Sequence, residues 1–189
     1  SKDLTPEVLD VLVDIFKVQA HECILNWDMR ESDKEDVERY NILAREAAQL
    51  SGRYEALKDS MSEVASIPPS WITLAEVKSL HFKAIAHNYA ALILLQNYDP
   101  DFTDCDHDAS MSEEKRLSRL VELTKIATWL MNEDSRTDKA KSHLKKAIET
   151  ETEALKIASN DRFITRLECI QKVLNTFSSQ IKDKLTSVN

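Results

Sequence analysis

The sequence predicts an all-α fold, and three observations carry that reading. The 189 residues include one glycine, Gly52, and only four prolines. Tight hairpins need residues at positive φ, which glycine supplies and helix interiors do not require. No window shows sustained period-2 alternation bounded by turn residues, and apolar residues recur instead at three- and four-residue steps. A chain of this length can bury one continuous core, so residues 1–189 are expected to form a single domain.

Six helices can be read in order. The first begins at Thr5-Pro6-Glu7, a cap followed by proline at the first helical position, and runs to about Trp27. Val8, Leu12, Ile15 and Gln19, with Leu9, Phe16 and Cys23 alongside, give it a wide apolar face. A charged connector, Asp28 to Lys34, leads to a second helix from about Glu35 to Met61, whose rows through Tyr40, Leu43, Ala47 and Leu50 suggest neighbours on two sides. Ser66-Ile67-Pro68-Pro69 then stops helix formation, because proline disfavours the α region for the residue before it.

Ser70 is read as the cap of a third helix, Trp71 to about Asn97. Its second half is apolar nearly all round, the mark of a central, buried helix. An aspartate-rich loop, about residues 98–112, precedes a fourth helix running from Ser112 to about Met131. After a turn at Asn132 to Arg136, Thr137-Asp138 caps a fifth helix to about Ser159, and Asn160-Asp161 starts the sixth. There Phe163, Leu167, Ile170, Leu174, Phe177 and Ile181 form a stripe suited to a seam against a partner helix. The chain opens at a helix start without Met, and is expected to be a piece of something longer.

Charge and composition narrow the function classes. A net charge of −8, with basic residues interspersed among acids, argues against nucleic acid as a partner. The three cysteines are far apart and form no CxxC pair, which points to a reducing, cytoplasmic setting. Asp99, Asp101, Asp104, Asp106, Asp108 and His107 invite a metal reading, but the mid-loop glycine of a calcium loop is missing; the segment reads as a solvated acidic loop, and no metal site is assigned. His81 and His87 are six residues apart on a helix expected to be buried, and read as hydrogen-bonded core histidines. Cys23 and Cys169 read as small core residues. Neither a nucleophile elbow nor a phosphate loop is present, so no enzyme activity and no cofactor are expected. Surface recognition of a helical or extended protein segment is the class that remains.

Ile67-Pro68-Pro69-Ser70-Trp71-Ile72-Thr73-Leu74, followed by His81-Phe82-Lys83-Ala84-Ile85-Ala86-His87, resembles the junction and central helix of rhophilin-type Bro1 domains. Val18-Gln19-Ala20-His21-Glu22-Cys23 is similar to the "AQAQE" helix of that family, and Lys141 to Ile148 with Glu153-Ala154-Leu155 to its late helix pair. The resemblance implies an antiparallel helical array with a tetratricopeptide-like core, here the C-terminal half of such a domain. It implies a scaffold in Rho GTPase and actin signalling, with Rho bound by the parent protein and not by these residues. Peripheral association with membranes, endosomes or actin structures is left open.

Other Bro1 proteins bind the C-terminal helix of an ESCRT-III subunit through a patch on this part of the domain. Carried over by position, Ile24 and Leu43 match as apolar residues, while Trp27 stands where a lysine is expected and Arg39 on or near an apolar position. Those four are the candidate partner-binding residues. Trp27 reads either as a hot-spot anchor or as a cover for the end of the core.

Overall fold

A computed structural model describes residues 4–31, 37–96 and 133–189, and among these it contains five α-helices and no strand. They are α1 (Pro6–Glu31), α2 (Val37–Ser62), α3 (Pro69–Leu95), α4 (Glu133–Ser159) and α5 (Glu168–Val188), with a 3₁₀ turn at Ile164–Arg166. The expected acidic loop and the expected helix from Ser112 lie outside the described residues.

Each helix packs antiparallel on the next described one. Ser51 and Ser79 exchange hydrogen bonds midway along α2 and α3, the Ser51 hydroxyl donating to the Ser79 carbonyl at 2.7 Å and the Ser79 hydroxyl to the Ser51 carbonyl at 2.9 Å. Ala44, Ala47 and Ala48 of α2 are buried in the same core as Ala75, Ala86 and Ala90 of α3. Side chains this small let two backbones approach closely enough for such hydroxyl contacts. Leu144, Ala140 and Ala147 of α4 bury against Ala84, Ala91 and Leu94 of α3, with Ile181 of α5 closing that cluster. Helix α3 thus sits between α2 and α4 and is the central helix that its composition predicts.

The stop between α2 and α3 is more specific than expected. Ser70 does not cap α3: Pro68 holds the cap position at φ −60° and ψ 136°, and no side chain caps it. Pro69 at the first helical position has no N–H to satisfy and a φ already suited to a helix. The Ser70 hydroxyl is thereby left to donate to Asp161 Oδ1 at 3.1 Å, pinning the start of α3 to the α4–α5 turn. Asp161 does act as a cap, accepting the N–H of Phe163 at 2.9 Å and of Ile164 at 3.0 Å. These donors, with the Ser70 hydroxyl, hold its carboxyl below the usual carboxylate range, the Ile164 N–H contributing most. What it caps is the short 3₁₀ turn, and α5 starts seven residues later.

Phe163 therefore lies outside the helical stripe, and it is exposed. Leu167 also precedes the helix, as its N-cap residue, and from Ile170 onward the stripe holds: Leu174 and Ile181 are buried, and Ile170 and Phe177 pack at the edges of their clusters. Helix α4 is already helical at Glu133, where a turn was expected, since Glu-Asp-Ser-Arg contains no breaker. Cys23 and Cys169 are exposed, not in the core, because each lies away from the face its helix buries.

Candidate peptide-docking surface

Helix α1 has apolar residues on two opposite faces. Val8, Val11, Val18 and Leu25 are buried. Leu9, Val13, Phe16, Ile24 and Trp27 are exposed, and at 100° per residue they centre about half a turn around the helix from the buried stripe. The wide single face expected from sequence is in fact two, of which one is used.

Polar side chains fix α1 on its neighbours. His21 Nε2 lies 2.7 Å from Glu46 of α2, and Tyr54 donates to Glu22 Oε2 at 2.7 Å. Lys78 of α3 donates to the same Glu22 oxygen at 2.9 Å. Burial, chiefly, and the Glu22 carboxylate keep the Tyr54 phenol protonated well above its ordinary range. One carboxylate thus ties three helices together.

Two depressions follow one another along α3, the first between α1, α2 and α3 and the second between α1, α3 and α5, with the Glu22–Lys78 ion pair between them. The first, of about 340 Å³, is walled by Leu12 and Phe16 of α1, Trp71 and Leu74 of α3, and Phe163 of the turn, with Lys78 at its inner edge. Phe16, Trp71 and Phe163 are all exposed there. The second, of about 780 Å³, begins at His81, one turn further along α3, and reaches Asn88 and Leu92. Arg30 of α1 stands on one wall, Lys172 and Lys184 of α5 on the other. Because α1 residues 12–19 border the first and 26–30 the second, α1 runs in the same direction as α3. The two together form a trough along α3, backed at its narrow end by Tyr54, Leu57 and Met61 of α2, aromatic at that end and cationic at the other.

Two histidines lie under and beside it. His81 Nδ1 sits 2.9 and 3.0 Å from the two Glu151 oxygens, and its ring meets Phe82 and Phe177 edge-on. Glu151 is fully buried, and that burial raises its pKa against the smaller, opposite pull of His81. His87 is buried, with Nδ1 2.9 Å from Nδ1 of His143. Both therefore sit as the hydrogen-bonded, inward-facing histidines expected from sequence. Burial also pushes the Tyr89 phenol, in the floor of the wide end, up to about 12.

The structure separates the four candidate contact residues. Ile24 and Trp27 are each 62% exposed, on the unburied face of α1 and outside both depressions, so Trp27 does not cover the core. Arg39 Nη2 lies 3.3 Å from Asp28, so this arginine bridges the ends of α1 and α2. Leu43 has no exposed surface; it belongs to the α1–α2–α3 core and presents nothing to a partner. The trough residues Phe16, Trp71, Phe163 and Lys184 were not singled out as contacts from sequence. Their signal is an aromatic or a lysine at a helical position that turns outward, and only the packing shows which way it turns.

Among the described residues, no three His, Cys, Asp or Glu side chains are arranged to hold a metal, and no helix is long and apolar enough to cross a membrane.

Comparison with known proteins gives a consistent result. The family pattern of the BRO1-like domain matches residues 1–189. Human Rhophilin-2 is 33% identical over 98% of this chain, and Rhophilin-2-A of Xenopus laevis 29% over 96%. Mouse Rhophilin-1 is 28% identical over 92% of the chain. The chain spans only about 27% of the length of each of these relatives. No solved structure matches significantly.

Proposed function

Because the chain belongs to the BRO1-like domain family, we propose that it is a non-enzymatic protein-interaction scaffold, part of a rhophilin-like adaptor in Rho GTPase and actin signalling. The observation that carries this reading is the trough along α3, bordered by α1 and α2 at one end and by α1 and α5 at the other, which is long and open enough for a helical or extended peptide. Arrays of paired helices offer such faces without any need for chemistry at the surface. The working location is the cytoplasm, with peripheral contact to endosomes or actin structures, and no cofactor is used.

In this reading Rho is bound elsewhere in the parent. Full-length parent protein is expected to retain GTP-loaded Rho in a binding assay, and the 189-residue chain is not. Failure of the full-length protein to bind Rho would overturn the assignment to Rho signalling.

A second reading rests on the exposure of Ile24 and Trp27: an endosomal-sorting adaptor that holds the C-terminal helix of an ESCRT-III subunit on the outer face of α1. Burial of Leu43 and the Arg39–Asp28 ion pair leave that patch smaller than the resemblance implies. Titration with such a helix should show binding that Ile24→Asp abolishes, with little change in stability at so exposed a site, within about 0.5 kcal/mol. The absence of binding at about millimolar peptide would retire this reading.

A further inference from the structure

The two ends of the trough differ in chemistry, and that difference specifies the ligand. At the narrow end, three exposed aromatic side chains from three separate segments, Phe16, Trp71 and Phe163, converge on one apolar depression. Clustered aromatic surface of this kind is the usual seat of a bulky apolar anchor. The Ser70–Asp161 hydrogen bond fixes Trp71 and Phe163 relative to each other, so the seat exists before any ligand arrives.

At the wide end, Arg30, Lys172 and Lys184 line the walls and no carboxylate does so among the described residues. In a chain of net charge −8, three cations without an acid between them are a local exception. Lys184 is the telling one. Its ammonium donates to Asn88 Oδ1 at 3.0 Å, a neutral amide, and desolvation by burial lowers its pKa. An amide oxygen satisfies one of three N–H donors and offsets none of the charge. A half-buried ammonium held in this way is favoured by an anion arriving from the trough.

Resting on the reading of the trough as a docking surface, we propose that its occupant is an amphipathic helical segment of a partner protein, laid parallel to α3, with a bulky apolar residue near its N-terminal end in the Phe16–Trp71–Phe163 seat and acidic residues at its C-terminal end against Arg30, Lys172 and Lys184. The polarity follows from the helix dipole, whose negative C-terminal end and last carboxylates both suit the cationic end. From Trp71 to Asn88 the trough follows α3 for about 25 Å, which a partner helix of about 17 residues spans.

The test is a display library of random 18-residue peptides selected on the 189-residue chain. The selected pool should place an aromatic residue or leucine near the start and two or more Asp or Glu near the end. A synthetic peptide from the pool should lose about tenfold or more in affinity when Lys172 and Lys184 are both changed to Gln, and again on Trp71→Ala. Lys184→Met separates recognition from folding: it removes a half-buried charge, so the melting temperature should hold or rise while affinity falls. Reversing the order of the peptide should weaken it as much as the charge changes do. Peptides that need Trp71 but bind equally well reversed, or without acids, would overturn the proposed polarity and leave the trough as a docking surface. A library yielding no peptide sensitive to Trp71, Lys172 or Lys184 would overturn both.

Discussion

Replacing Glu151 by alanine is expected to destabilise the protein by about 3 kcal/mol, because removal of one partner from a buried polar pair leaves the other unsatisfied and opens a cavity. That loss should appear as a fall of about 10 °C in melting temperature for a chain of this size. Glu151 lies with no exposed surface on α4, and its carboxylate is the partner that His81 Nδ1 faces across the α3–α4 contact. Glu151→Gln keeps an acceptor there and removes the charge, so it should cost far less than alanine.

The pH dependence gives an independent check of sign. Burial raises the Glu151 pKa above its ordinary 4.5, so the folded state holds this proton more tightly than the unfolded one. The contribution of this group to stability is therefore fully present below pH 4.5 and is lost as pH rises through its raised value. Glu151→Gln should accordingly flatten the stability profile between pH 4.5 and that raised value, as read by urea denaturation across a pH series. A profile identical to wild type would mean that the pair is not desolvated as described.

Leu43→Ala is the second large effect, expected at about 3 kcal/mol by the cavity it leaves. Leu43 is fully buried in the cluster that joins α1, α2 and α3. The same truncation at Ile24, 62% exposed, should change stability by less than about 0.5 kcal/mol. Urea midpoints for the two variants decide whether Leu43 is a core or a surface residue. Equal, small changes at both positions would contradict the packing of α2 against α1 and α3.

The helices were legible in the sequence wherever a proline, a missing glycine or an unbroken apolar row set the backbone choice. Pro68-Pro69 marked the α2–α3 break, and the apolar second half of α3 marked it as central. Individual faces were less legible. Helix α1 carries apolar residues on two opposite faces, so periodicity alone could not say that Val11, Val18 and Leu25 turn inward while Phe16, Ile24 and Trp27 turn outward. Cys23 reads as a core residue from its apolar row and is exposed, because burial depends on where the neighbouring helix sits. Ser70 looked like a cap, and its hydroxyl instead serves a residue 91 positions away.

The candidate site was less legible still. The trough is assembled from α1, α2, α3, the segment leading into the 3₁₀ turn and α5, and no local pattern brings Phe16, Trp71 and Phe163 together. Lys184 stands out only once Asn88 is seen to be its partner. The familiar motifs reported the family and the helices that build it, while the docking chemistry lies in side chains between those motifs.

The most direct measurement of the docking claim is a chemical-shift map of the 189-residue chain titrated with a library-selected peptide. The trough predicts perturbed signals at Phe16, Trp71, Phe163 and along the groove side of α3 and α5, with Ile24 and Trp27 unmoved. Shifts confined to Ile24, Trp27 and Arg39, with the trough silent, would contradict it and place the docking surface on the outer face of α1.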